Sequence, residues 1–132
     1  MVTTDPIADL LTRIRNGLKG QHRFVDIGWS RVKQGLVEIL QSEGFIEGFL
    51  VKMEGTKGVM RIFLKYSAGR KPVIQGLKRL SSPGRRLYVK CDEIPMFFGG
   101  LGVSVLSTPK GLMVGREARK QRLGGEILCQ VW

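Results

Sequence analysis

"VLSTPKGLM", residues 105–113, is the stretch on which the fold turns. Val105-Leu106 and Leu112-Met113 are apolar pairs set on either side of Ser107, Thr108, Pro109, Lys110 and Gly111. Two apolar runs hinged on a proline and a glycine read as strands joined by a tight turn. Outward from the turn, "GVSVLS" (102–107) extends the first strand and "GLMV" (111–114) forms the second. A basic helix "GREARKQR" (115–122) follows, then Gly124-Gly125 and a terminal strand "EILCQVW" (126–132). The pattern predicts an α+β fold with mostly antiparallel strands.

The preceding half reads α-β-α-β-β. "DPIADLLTRIRNG" (5–17) is a helix with Asp5 able to cap and Pro6 suited to the first turn. Ile7, Leu10, Leu11, Ile14 and Leu18 recur at helical spacing as one buried stripe, and Gly17 and Gly20 mark the expected end. Arg13, Arg15 and Asn16 lie off that stripe, a placement whose default reading is a solvated face. "FVDIGW" (24–29) alternates as a strand, and Ser30 caps a helix carrying Val32, Leu36, Ile39 and Leu40, with Gly44 as the stop. "FIEGFLVKM" (45–53) and "VMRIFLKY" (59–66) form a hairpin around "EGTKG". Residues 1–66 therefore read as one lobe, "SAGRKP" (67–72) as a connector and 73–132 as a second, mainly β lobe. In that lobe "VIQGLKRL" (73–80) and "RRLYVK" (85–90) are expected strands around "SSPG", where Pro83-Gly84 suits a type II turn. A short helical turn is expected at 94–98.

Charge narrows the function. Twenty-two Lys and Arg against eleven Asp and Glu leave +11, an excess that favours a polyanion as partner. Residues 1–66 hold ten basic and seven acidic residues, and residues 67–132 hold twelve and four. The second half is thus expected to supply most of the anion-facing surface. No apolar run approaches the ~20 residues of a spanning helix, and no signal peptide opens the chain. Cys91 and Cys129 lack metal-ligand spacing and read as reduced, buried small hydrophobes of a cytosolic protein. The single histidine, His22, makes no metal cluster by itself. No cofactor, metal or small-molecule substrate is expected.

The 107–111 turn fits an ordinary surface turn and a binding turn equally well by itself. Its hydroxyls suit base edges, ribose and phosphates, Gly111 admits close backbone approach, and Lys110 adds a charge. The neighbouring Arg116, Arg119, Lys120 and Arg122 favour binding. "SPGRRLYV" (82–89) adds Arg85 and Arg86, which suit phosphates, and Tyr88, which reads first as core and second as a stacking ring. Gly124-Gly125 reads as a turn or a close approach. Glu126, an acid in the most basic region, either braces arginines or accepts from base amino groups. A hydrolase reading lacks a histidine near Ser107 or Thr108, and "GVSVLS" lacks the glycines of a nucleophile elbow. "GGLG" (99–102) is not a dinucleotide fingerprint. A general nucleoid-type basic module is the alternative that charge alone allows.

"DPIADLLTRIRNG", "SEGFIEGF" (42–49), "LKY" (64–66), "SPGRRLYV" and "GLGVSVLSTPKGLMVGREARKQRLGGEILC" (100–129) closely resemble the bacterial small-subunit ribosomal protein eight family. The resemblance runs from Asp5 to Trp132, with 19–24 and 54–58 loosely matched. It implies two small α/β lobes packed together and a non-catalytic protein of the small subunit. It also implies direct binding to an irregular stem in the central domain of 16S ribosomal RNA, primary assembly of the platform side, and ribosomal proteins five and twelve as neighbours. By motif match, Ser107, Thr108, Lys110 and Gly111 would contact RNA in a distorted minor groove, with Gly124, Gly125 and Glu126 as the adjacent wall and Tyr88 beside them. Arg15, Ser30, Arg31 and Lys33 would hold the RNA backbone from the other lobe. The chain departs from the family pattern at Pro109, usually serine, and at Gly115, often threonine, which weakens the cap of the basic helix.

Overall fold

The computed structural model describes residues 5–95 and 102–132. The turn expected at 94–98 and the "GGLG" segment run into 96–101, outside the described residues. Two compact units are present, Pro6–Gln75 and the pair of segments Met1–Asp5 and Gly76–Trp132.

In the unit Pro6–Gln75, α1 (Pro6–Lys19) is followed by β1 (Phe24–Gly28), α2 (Arg31–Ser42), β2 (Ile46–Glu54) and β3 (Lys57–Leu64). A small ladder, β4 (Tyr66–Ser67) with β5 (Lys71–Pro72), closes the unit. The expected connector is therefore a hairpin, turned by the left-handed φ of Gly69 and Arg70 (77° and 60°). The antiparallel sheet runs β1-β3-β2. Ile7, Leu10, Leu11, Ile14 and Leu18 of α1 are buried, as their spacing predicts. Each fully buried Leu or Ile contributes about 1.5–3 kcal/mol relative to exposure. Gly17 does not end the helix. An ideal Cβ there would sit 2.4 Å from Val25 Cγ1, so glycine lets α1 close on the sheet. Gly44, at φ 82°, follows the C-terminus of α2, with Phe45 N–H donating to Leu40.

The free edge of β1 is blunted by cations. Arg13 donates to the Asp26 carbonyl at 3.3 Å and Lys33 to the Gly28 carbonyl at 3.0 Å, which removes acceptors that another strand could use. Asp26 also takes two bonds from Arg61, at 2.9 and 3.0 Å. Those bonds hold its carboxyl below the usual carboxylate range. The contribution is present above the ordinary carboxylate pKa and is lost as pH falls through the lowered folded value.

In the second unit the elements are β6 (Leu77–Arg79), β7 (Tyr88–Val89), β8 (Val103–Thr108), β9 (Gly111–Val114), α3 (Gly115–Lys120) and β10 (Gly125–Val131). The antiparallel order is β6-β10-β8-β9, and β7 lies against the first residues of β10. Beneath α3, Ile94, Leu106, Ala118 and Ile127 form a core flanked by Leu80, Leu87, Val89 and Met113.

Two expected strands are shorter than their apolar runs. The 73–80 run is strand only at β6, although Gly76 and Trp132 exchange backbone bonds just beyond it at 3.0 and 3.1 Å. The 85–90 run is strand only at β7, because Arg85 bonds back to Ser82 and the Leu87 N–H is taken by the Ser81 hydroxyl. Gly84 does not take the positive φ that a type II turn requires. The N-cap of α3, Val114, makes no side-chain cap bond among the described residues, and the helix ends before Arg122, whose φ is 57°. Cys129 is buried, its thiol pushed up to about 12 by desolvation and so inert. Cys91, expected to be buried, is half-buried.

Ser104 is 4% exposed, and its hydroxyl has no hydrogen-bond partner among the described residues. Ser104→Ala is expected to raise unfolding stability by about 1 kcal/mol, because it removes an unmet desolvation cost. Urea unfolding of the two proteins checks this. A loss of stability would mean that the hydroxyl is satisfied.

Candidate nucleic-acid interface

The β8–β9 turn is built by its own residues. Thr108 pairs with Gly111 across the ladder, leaving Pro109 and Lys110 as a two-residue loop. The Thr108 hydroxyl donates to the Gly111 carbonyl at 2.8 Å and accepts from the Lys110 N–H at 3.2 Å. Gly111 takes a φ of 105°, a conformation that glycine adopts without Cβ strain. Thr108 is buried and its hydroxyl proton is spent on the turn, so it shapes the loop rather than presenting a free hydroxyl. Pro109, Lys110 and Gly111 are exposed, and Ser107 is half-buried. Proline costs the hairpin nothing at 109, since the ladder pairs 108 with 111 and asks for no N–H from the loop.

Register then brings four side chains onto one face. Tyr88 lies opposite Glu126, Glu126 opposite Ser107, and Ser107 opposite Leu112. Facing residues of an antiparallel ladder project to the same side. Tyr88 is 69% exposed, so the core reading of this residue is overturned. A stacking ring and a hydroxyl thus occupy one row beside the exposed Lys110 turn. Such a row suits ribose and unstacked bases, which A-form RNA offers in its shallow groove and at irregular sites.

The two glycines are packing requirements. An ideal Cβ on Gly125 would lie 2.1 Å from the Ser107 carbonyl oxygen, and one on Gly124 would lie 2.6 Å from that of Val89. Both neighbours are backbone, which cannot rotate away. Gly124 and Gly125 therefore let β10 close on β8 and the end of β7, forming a wall next to the turn.

Glu126 is 9% exposed and braces this wall. Arg86 Nη1 donates to its carboxylate oxygens at 3.1 and 3.3 Å, and the buried Ser81 hydroxyl donates to Oε2. Of the two roles read from the sequence, bracing is the one its contacts serve. The Arg86 side chain remains 54% exposed. Arg85 and Arg116 are exposed cations of the same unit. Arg119, by contrast, turns a donor to the Ile94 carbonyl, and Arg79 is held by Asp5 and the Leu128 carbonyl.

In the other unit Ser30 accepts from the Lys33 N–H at 3.2 Å and caps α2, as its position predicts. Arg31 and Arg15 are exposed, and the Lys33 amine reaches the Gly28 carbonyl while remaining half-exposed. Residues 6–75 hold twelve basic against six acidic residues, and 1–5 with 76–132 hold ten against five. Counted by unit the excess is nearly even, while residues 67–132 still hold twelve basic against four acidic residues. Arg70 and Lys71 fall in the first unit and Asp5 in the second, which explains the change.

Ser81 is buried and bonded to Glu126 and Leu87, a placement its sequence position does not announce. It lies inside the expected turn "SSPG", and an acid in a β-strand of a basic segment, Glu126, is the signal that a donor must face it. Among the described residues, no three His, Cys, Asp or Glu side chains are gathered as a metal site requires. No helix there is long and apolar enough to cross a membrane.

Exposed Tyr88, half-buried Ser107 and the exposed Lys110 turn are the groups of a surface suited to nucleic acid. The model of the family described as ribosomal protein S8 matches residues 5–132. The small ribosomal subunit protein uS8 of Protochlamydia amoebophila (strain UWE25) is 59% identical over 133 residues, covering 100% of both chains. That of Syntrophomonas wolfei subsp. wolfei is 52% identical over 132 residues, again covering 100% of both. The Chlamydia pneumoniae protein of the same description is 53% identical over 131 residues, 99% of this chain and 98% of its own. The chain belongs to the ribosomal protein S8 family, whose members are non-enzymatic structural constituents of the small ribosomal subunit.

Proposed function

We propose that this chain binds the central domain of 16S ribosomal RNA directly, on an irregular helical stem, and thereby helps assemble the platform of the small subunit in the cytoplasm. Ribosomal proteins five and twelve are its proposed neighbours there. The observation that carries this reading is the row Tyr88–Glu126–Ser107 beside the exposed Pro109-Lys110-Gly111 turn. Exposed Tyr88 and half-buried Ser107 supply stacking and ribose or base-edge contacts. Lys110, Arg85, Arg86 and Arg116 supply phosphate contacts, Thr108 and Gly111 hold the turn, and Gly124, Gly125 and Glu126 form its wall. In the other unit Arg15, Arg31 and Lys33 take phosphates, and Ser30 fixes the helix end that presents the last two.

The test is a titration of the protein against a short central-domain stem and a regular RNA duplex of equal length, at several salt concentrations. The protein is expected to prefer the irregular stem, with a preference that survives added salt because it comes from uncharged contacts. Equal affinity for both, or equally good competition by DNA, would reduce the protein to a general polyanion binder.

Residue roles separate in the same assay. Ser107→Ala is expected to narrow the gap between the two RNAs by about 1 kcal/mol, the worth of one hydrogen bond. Lys33→Ala is expected to weaken both alike and to flatten the salt dependence by about one unit of slope. The opposite pattern would reverse the two assignments.

A further inference from the structure

The row that carries the proposed RNA reading has a weak member. Tyr88 stands on β7, a strand of two residues, and so short a ladder gives little register of its own. The residue is 69% exposed, so core packing does not hold it either. Something else must fix where it points.

Ser81 is fully buried. Its hydroxyl oxygen accepts from the Leu87 N–H at 3.1 Å, and its proton goes to Glu126. Leu87 is the chain neighbour of Tyr88, and Glu126 is its cross-strand partner. One hydroxyl therefore ties together the two points that bound Tyr88, along the chain and across the ladder. The backbone places Ser81 independently, since its N–H donates to the Ile127 carbonyl at 3.2 Å and Leu80 N–H donates to Leu128 at 2.9 Å. Leu87 in turn accepts from the Ile127 N–H at 3.0 Å. The hydroxyl closes a ring of bonds around the start of β10.

We propose that Ser81 is the positioning residue of this interface: its buried hydroxyl, bridging the Leu87 N–H and the Glu126 carboxylate, holds Tyr88 in line with Ser107. Ser81 itself touches no RNA. The inference rests on the RNA reading given above and adds how the exposed ring is kept in place.

Ser81→Ala removes the bridge without adding bulk, and Ser81→Thr restores a hydroxyl. The intact variants are compared on the irregular stem and the regular duplex, with urea unfolding and amide exchange measured in parallel. Ser81→Ala is expected to lower affinity for the irregular stem about tenfold. Duplex affinity and the salt slope stay unchanged, and the Leu87 amide exchanges faster. Ser81→Thr should recover most of the loss. In a Tyr88→Ala background, Ser81→Ala should cost no more than about a further twofold, because residues acting as a unit do not add.

A loss of unfolding stability with the RNA preference intact would make Ser81 merely structural and overturn the proposal. So would a loss shared equally by both RNAs, or a full additional loss in the Tyr88→Ala background. If the wild-type protein shows no preference, the RNA reading falls first and this inference with it. A wild-type preference unmoved by Ser81→Ala refutes the positioning role alone.

Discussion

Gly125→Ala is expected to lower unfolding stability by about 3 kcal/mol and to abolish the preference for irregular RNA. The added Cβ would arrive 2.1 Å from the Ser107 carbonyl oxygen and 3.0 Å from its carbon. Those atoms belong to β8, which is bonded on both sides, to β10 and to β9. A side chain could swing aside, but the central strand of a sheet cannot. Relief requires β10 to lift from β8 at its first residues, which separates Glu126 from Ser107 and carries Tyr88 with it. Stability and recognition therefore fail together.

Gly84→Ala is the control. A Cβ there meets nothing within 4 Å among the described residues, and Gly84 is not in the left-handed region. Reduced freedom of the unfolded chain should make that variant more stable by about 0.4–1 kcal/mol. Urea unfolding of both variants, followed by tryptophan fluorescence, gives the comparison. If Gly125→Ala unfolds within about 0.5 kcal/mol of the wild type, the close approach is not a constraint.

What could be read from the residues follows the range over which each signal acts. Helical spacing in "DPIADLLTRIRNG" reports burial over a few turns, and the stripe it marks is buried in the fold. The same segment is ambiguous at Gly17, because a glycine that ends a helix and one that lets a helix approach a strand look alike. The difference lies in Val25, eight residues later. Apolar runs likewise overstated β6 and β7. Ladder length depends on which backbone groups other atoms claim, and the Ser81 hydroxyl claims that of Leu87.

The interface divides along the same line. The turn at 107–111 and the glycines at 124–125 are legible because proline, glycine and hydroxyls have strong local preferences. The proposed face is not legible in the sequence, since it depends on β7, β10, β8 and β9 lying side by side in one register. Tyr88, Glu126, Ser107 and Leu112 are far apart in sequence and become neighbours only through that pairing. Thr108 shows the limit from the other side. Its hydroxyl suits RNA chemistry in the sequence, yet the fold uses it to close the turn.

Tyr88→Ala is expected to reduce affinity for the irregular central-domain stem about 10- to 100-fold, the worth of one base stacked on an aromatic ring. Because the residue is 69% exposed, unfolding stability should stay within about 0.5 kcal/mol of the wild type. Tyr88→Phe keeps the ring and should retain most of the affinity, which separates stacking from hydroxyl chemistry. The ring carries no charge, so the salt slope should not move, whereas Lys110→Ala should reduce it by about 0.7–0.9. A neutral aromatic group and the lysine of the β8–β9 turn thus leave different signatures in one titration series. If Tyr88→Ala instead weakened both the stem and the regular duplex and flattened the salt slope, the residue would be acting through the arginines beside it. Recognition would then belong to charge, and the exposed ring would have no share in it.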